Sequence, residues 1–267
     1  MELINSFLFG IKQQGKALLF IKEYKLYWFT FFPFLLMGIL YYLGTYLLKL
    51  PHRIDPSNIQ DIFWNFILLT IEVSISLIIM EFTKYMVVIF LSPLLAFLSQ
   101  KTEQYQTGKS YAYNLQQLKT DVQRALKITM RNIMWKYALL IPIYAVGFFM
   151  QQWTAFDPTP YLAFFIGAYF YGFSFIDYTN ERHQKSVNES ILIVRKNRGF
   201  VFVTGAIFSL LIYVPVDLSL IFGTNDLGWW ETLSARLLHI LFWIIASFAP
   251  ILAIVSATLG MVATSKK

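Results

Sequence analysis

The sequence contains no cysteine at all. That excludes a disulfide framework and any thiolate metal site. Charge is scarce as well: Asp, Glu, Lys and Arg make up 14% of the 267 residues, where a soluble domain carries about 25%. Histidine occurs three times, at His52, His183 and His239, widely separated and without partners at metal-ligand spacing. No HExxH, GxSxG, P-loop or GxGxxG pattern is present. The residues therefore argue for neither an enzyme nor a bound cofactor or metal. The N-terminal stretch has no small-residue cleavage site after a short apolar segment, so no removable signal is expected.

What the chain does have is apolar length. Hydrophobic residues reach 57%, aromatics 18%, and the mean hydropathy is +0.55. The formal net charge of +7 would suggest nucleic acid in a soluble protein. Here the basic residues alternate with apolar runs, a pattern that fits retention on the cytoplasmic side of a bilayer and attraction to anionic lipid, and no nucleic-acid partner is expected.

Taken in order, residues 1–26 read as an amphipathic lead-in with Phe7, Ile11, Leu18, Leu19 and Ile21 apolar beside Lys12, Lys16, Lys22 and Lys25. Such a segment suits the membrane–water interface or packing on the rest of the protein. Leu26 to Leu48 carries no charge and, as a helix, is roughly 34 Å long, enough to cross the hydrocarbon. The next apolar run, from Ile62 to about Ser99, contains Glu72 where mid-membrane falls. An ionisable residue at that depth is a candidate proton-linked or substrate-binding group, or else a glutamate packed between helices.

From 101 to 136 the chain turns basic, and Leu115, Leu118, Val122, Leu126 and Ile133 recur at helical spacing. This predicts an amphipathic cytoplasmic helix, with Lys119, Arg124, Lys127 and Arg131 as lipid or partner contacts. Two apolar pairs follow, Ile133–Met150 with Tyr161–Ile176, and Phe200–Phe222 with Leu237–Ala263, separated by a polar cytoplasmic connector at 177–199. Pro142, Pro215 and Pro250 interrupt them and are expected to break or kink the helices into hairpins. Placing 1–26, 101–136, 177–199 and Lys266-Lys267 on one side collects 18 of the 22 Lys and Arg there. The positive-inside rule then puts both termini in the cytoplasm.

Several stretches resemble the CysZ family of bacterial sulfate permeases, grouped with the etoposide-induced-protein domain. They are Asp177-Tyr178 with His183, the run Arg195-Lys196-Asn197-Arg198-Gly199, the apolar run ending at Pro215, and Pro250 to Thr258. Ser92-Pro93 to Leu98 with Glu103 and Gly108, and Lys25-Leu26 through Pro33, match further family segments. The resemblance implies one all-α integral membrane domain over 1–267, in the bacterial inner membrane. It further implies four to six hydrophobic helical segments, some of them partly penetrating hairpins, long helices reaching into the cytoplasm, and a homo-oligomer. The family's anion contact lies at a Gly-Leu-Arg-like entry to the first helix. Aligned through Pro33, that stretch here reads Lys25-Leu26-Tyr27-Trp28, which makes Lys25 the corresponding cation. The expected function is a permease or channel-like route for a small solute, first an inorganic oxyanion such as sulfate. The alternative is a non-transporting membrane scaffold that docks lipid or a partner through its basic helices.

Overall fold

The computed structural model describes residues 3–48, 89–109, 115–151, 157–217, 220–221 and 228–265. Among them there are helices and turns but no strand. In hydrocarbon each backbone N–H must bond within its own segment, and helices do this without a partner. The helices are α1 (Leu3–Glu23), a short 3₁₀ turn (Leu26–Thr30) feeding α2 (Phe31–Leu48), α3 (Ser92–Thr107), α4 (Leu115–Gln151), α5 (Thr159–Arg182), α6 (Val187–Lys196), α7 (Arg198–Ile212) and α8 (Trp229–Ser265).

At the centre α7 packs on α5 and α8, while α1 lies across α7 and α8, α3 rests on α8 and α4 rests on α5. The α5–α7 crossing is set by small residues. A Cβ on Gly172 would collide with the Val201 carbonyl, and one on Gly205 with the Ala168 carbonyl. With no side chain between them the two backbones touch, as small residues permit in membrane helix pairs. Gly205→Ala is accordingly expected to lower stability by about 1–3 kcal/mol or more through overpacking. Thermal unfolding in detergent checks this, and an unchanged midpoint would contradict the close crossing.

On α1 and along part of α4 burial runs opposite to that of a soluble protein, while the centre of the bundle keeps an apolar core around Phe173, Phe200 and Ile254. On α1 the covered residues are Ser6, Gly10, Gln13, Gln14, Ala17 and Ile21, whereas Leu3, Ile4, Phe7, Leu8, Ile11, Leu18 and Leu19 are exposed. On α4, Leu126, Met130, Met134, Trp135 and Ile141 face out while Thr129, Asn132 and Lys136 are covered. Water penalises such a surface, but lipid solvates it. Among the described residues three helical segments are long and apolar enough to span a bilayer: Leu126–Met150, Thr159–Arg182 and Trp229–Ser265. Leu26–Leu40 and Arg198–Ile212 are shorter apolar segments. The expectation of an all-α membrane protein is met.

Three expectations from the sequence need correction. The basic stretch 115–136 and the apolar run behind it form one 37-residue helix, α4. No glycine or proline lies between Leu115 and Ile141 to end it, and the stop falls earlier, at Gly108, whose φ of 74° caps α3. Pro142 and Pro250 lie inside α4 and α8, which continue through them. A proline deletes one i to i−4 bond, and a long helix supported by its neighbours continues past that loss. Pro215 does sit past a helix end, just beyond the Tyr213 cap of α7, where its missing N–H costs little. Finally, the polar connector at 177–199 is mostly helical, and Asp177, Thr179 and Asn180 are buried.

Helix α6 begins with a capping box. The Ser186 Oγ accepts the Glu189 N–H at 3.3 Å, and the Glu189 carboxylate accepts the Ser186 N–H at 2.7 Å. That backbone N–H is the main reason the Glu189 pKa is lowered. A lowered folded pKa contributes stability above the ordinary glutamate range and loses it as pH falls through the lowered value. The stability difference between wild type and Glu189→Gln is therefore expected to be full at neutral pH and to disappear in acid. A pH series of unfolding midpoints checks it, and a constant difference would contradict the assignment.

Candidate functional site

Two groups of polar side chains lie inside the bundle. The first joins α3, α5 and α8. Arg182 Nε donates to Glu103 Oε2 at 2.7 Å and Arg182 Nη1 to Ser99 Oγ at 2.8 Å. His183 Nε2 lies 2.9 Å from Glu103 Oε1. The Ser99 hydroxyl is in turn 2.8 Å from that of Thr258 on α8. The Arg182 and Glu103 side chains are only 5% and 3% exposed, so each charge relies on the other in place of water. Gln14 donates to Ser256 at 2.7 Å and ties α1 to the same interior. This group is a clamp on four helices.

The second group runs along the seam between α4 and α5. At one end Arg124 grips Asp177 with two hydrogen bonds of 3.1 Å, and its third nitrogen donates to the Lys185 carbonyl at 2.6 Å. Asp177 also accepts the Ser190 hydroxyl at 2.6 Å, and Asn180 donates to Ser190 at 2.8 Å. Planar two-point pairing of this kind fixes angle as well as distance. Further along, Asn132 is fully buried. Its amide donates to Ser174 Oγ at 3.0 Å and to the Phe170 carbonyl at 3.3 Å. Arg131 donates to Asn132 Oδ1 at 3.0 Å and lies 4.6 Å from the centre of the Phe173 ring. Then comes Lys136, 5% exposed, its Nζ 5.2 Å from the Tyr137 ring and 5.9 Å from that of Tyr171. Arg131, Asn132 and Lys136 all fall within the candidate span Leu126–Met150. Positive charge within a membrane segment is costly and is expected to face the bundle interior and find partners there.

The sequence-derived candidates are distributed unevenly over this geometry. Lys25 is exposed and sits in the left-handed region at φ 54° between α1 and the 3₁₀ turn. Glu72 lies outside the described residues, as does the Lys119 side chain. Lys127 is exposed. Arg124 and Arg131, expected to face lipid or a partner, turn inward instead. Of the apolar repeat on this helix Leu126 is exposed and Ile133 is buried, and the covered side also carries Asn132 and Lys136 toward α5. Sequence reasoning does not single out Glu103, Arg182, Asn132 or Lys136 as site residues. The i, i+4 pair Asn132 and Lys136 at the entry to an apolar run is the available signal for the seam.

Apolar side chains outside and ion pairs with buried cations inside define an all-α integral membrane protein. A family model described as sulfate transporter CysZ/Etoposide-induced protein 2.4 matches residues 14–222. The chain belongs to this family, and with it comes a membrane transporter-like role. The match takes in Glu103, Arg124, Arg131, Lys136, Asp177 and Arg182 and stops before α8. No curated protein matches the chain.

Proposed function

We propose that the protein is a permease or channel-like route for a small inorganic oxyanion, with sulfate the first to test, and that the α4–α5 seam carries it. The supporting observation is the placement of Arg131 and Lys136 on the inward side of a candidate span, next to the neutral groups Asn132 and Ser174. Pores for anions are lined by arginine and lysine because the anion must exchange its hydration shell for donors held in place. The Arg124–Asp177 pair at the end of the seam cancels its own charge and acts as a fixed post. Around this route the exposed apolar faces of α1 and α4 meet lipid or a second copy of the chain. The basic residues of α1, of the first turns of α4 and of the 177–199 connector belong on the cytoplasmic side of a bacterial inner membrane, with both termini there.

The test is flux. Purified protein in liposomes is expected to pass labelled sulfate, or the related oxyanion sulfite, faster than empty vesicles do. Flux no greater than in empty vesicles, for every oxyanion tried, overturns the reading. A membrane scaffold docking lipid or a partner through Lys127 and the lysines of α1 would then take its place.

A further inference from the structure

A cleft separate from the Arg131–Lys136 stretch of the α4–α5 route lies at one end of the bundle. Where α5, α6 and α8 end together, this cleft of about 450 Å³ opens, lined among others by Asn180, His183, Lys185, Lys196, Asn197 and Ser265. Its size falls in the range of small-molecule sites, roughly 300–1,000 Å³. Among the described residues its lining includes two lysines and no acid.

Three helix C-termini meet here, and bare C-terminal carbonyls would repel an anion. Most of these carbonyls are already engaged. At the end of α5, Gln184 adopts φ 56°, and the Lys185 N–H bonds the Asn180 carbonyl at 2.9 Å while the Gln184 N–H bonds that of Glu181 at 2.8 Å. These are the two hydrogen bonds of a Schellman closure. In the last turn of α8 the Thr264 and Ser265 hydroxyls donate to the Met261 and Val262 carbonyls at 2.9 and 3.0 Å. The Ile193 carbonyl near the end of α6 accepts the Asn197 amide at 2.9 Å. The negative helix ends are thus partly neutralised, and the exposed Lys185 and Lys196 give the cleft its sign. The same closure fixes the Lys185 backbone at the rim, since its carbonyl also holds Arg124. His183 is anchored to Glu103 through Nε2 and forms a stationary wall.

Position indicates the source of the anion. The candidate spans Thr159–Arg182 and Trp229–Ser265 both end at this cleft, which therefore lies at one end of the membrane-crossing helices. Basic pockets between membrane helices at such ends hold lipid phosphates. We infer that the cleft between the ends of α5, α6 and α8 binds a phosphate-bearing ligand, clamped between Lys185 and Lys196, and that its position favours the headgroup of an anionic phospholipid.

The experiment uses the full chain in neutral detergent and titrates short-chain phosphatidylglycerol, short-chain phosphatidylcholine and inorganic phosphate separately. Wild type is compared with the double variants Lys185→Ala/Lys196→Ala and Lys185→Arg/Lys196→Arg, each first shown by gel filtration to retain its elution volume. Wild type is expected to bind phosphatidylglycerol at least tenfold more tightly than phosphatidylcholine, the alanine pair to lose that preference, and the arginine pair to keep it. Lysine-dependent binding of inorganic phosphate without lipid preference supports the site and assigns it a soluble phosphate. Equal binding by wild type and the alanine pair in every titration overturns it.

Discussion

Liposomes carrying the Lys136→Gln protein are expected to move labelled sulfate at least tenfold more slowly than wild type, with Lys136→Arg retaining most of the flux. An anion about 4 Å from an ammonium gains roughly 4 kcal/mol at an effective dielectric of 20, and about 1.4 kcal/mol suffices for a factor of ten. Lys136 is 5% exposed and bounded by the Tyr137 and Tyr171 rings, so little water is at hand to replace its charge. Glutamine keeps a donor, one bond shorter, but not the charge, so the contrast with arginine isolates the Coulomb contribution. Arg131→Gln is expected to fall in the same direction by a smaller factor, because Arg131 as a residue is half-buried where Lys136 is buried. The measurement is initial uptake rate at matched protein density, with gel filtration confirming intact assembly. Full flux in both glutamine variants would remove the seam from the transport route.

Glu103→Gln is expected to cost about 3–5 kcal/mol of stability, the range for breaking a buried ion pair from one side. The neutral amide leaves the Arg182 guanidinium, 5% exposed, without its counter-charge in the interior. It also weakens the hold on His183. The double variant Glu103→Met/Arg182→Met is expected to recover much of the loss, since removing both charges also removes their desolvation cost. Unfolding midpoints of wild type, the two single variants and the double variant in one detergent form a double-mutant cycle that isolates the pairing energy. A single variant losing less than about 1 kcal/mol would place this group with ordinary surface pairs.

The class of this protein is legible in its sequence because long uncharged apolar runs are stable in so few settings. A run such as Leu237–Ala263 admits hardly any structure but a membrane helix. The site is less legible, for identifiable physical reasons. Periodicity reports that one side of a helix differs from the other, but not which side meets protein. For the stretch around Leu126 the soluble convention places leucine inside, and lipid reverses it, so the pattern turns Arg124 and Arg131 the wrong way. The partners of the inward charges are distant in the chain: Arg124 finds Asp177 and Glu103 finds Arg182, and no local pattern joins them. Pro142 and Pro250 mislead because the cost of a proline depends on what surrounds the helix. Short family segments locate Glu103, Asp177 and His183 but leave unsaid that two of them face cations across a helix boundary.

The glycine crossing of α5 and α7 has a bearing on movement. Where side chains intervene, two helices can slide by exchanging rotamers. Between Gly172 and Val201, and between Gly205 and Ala168, backbone meets backbone, and there is nothing there to rearrange. That pair is a fixed axle. On the other side of α5, α4 rests on hydrogen bonds and on cations over rings, contacts that can be handed to a neighbour one helical turn away. If the proposed path opens and closes, the give is expected in the middle of the seam, around Asn132 and Lys136, between the Arg124–Asp177 post and the axle.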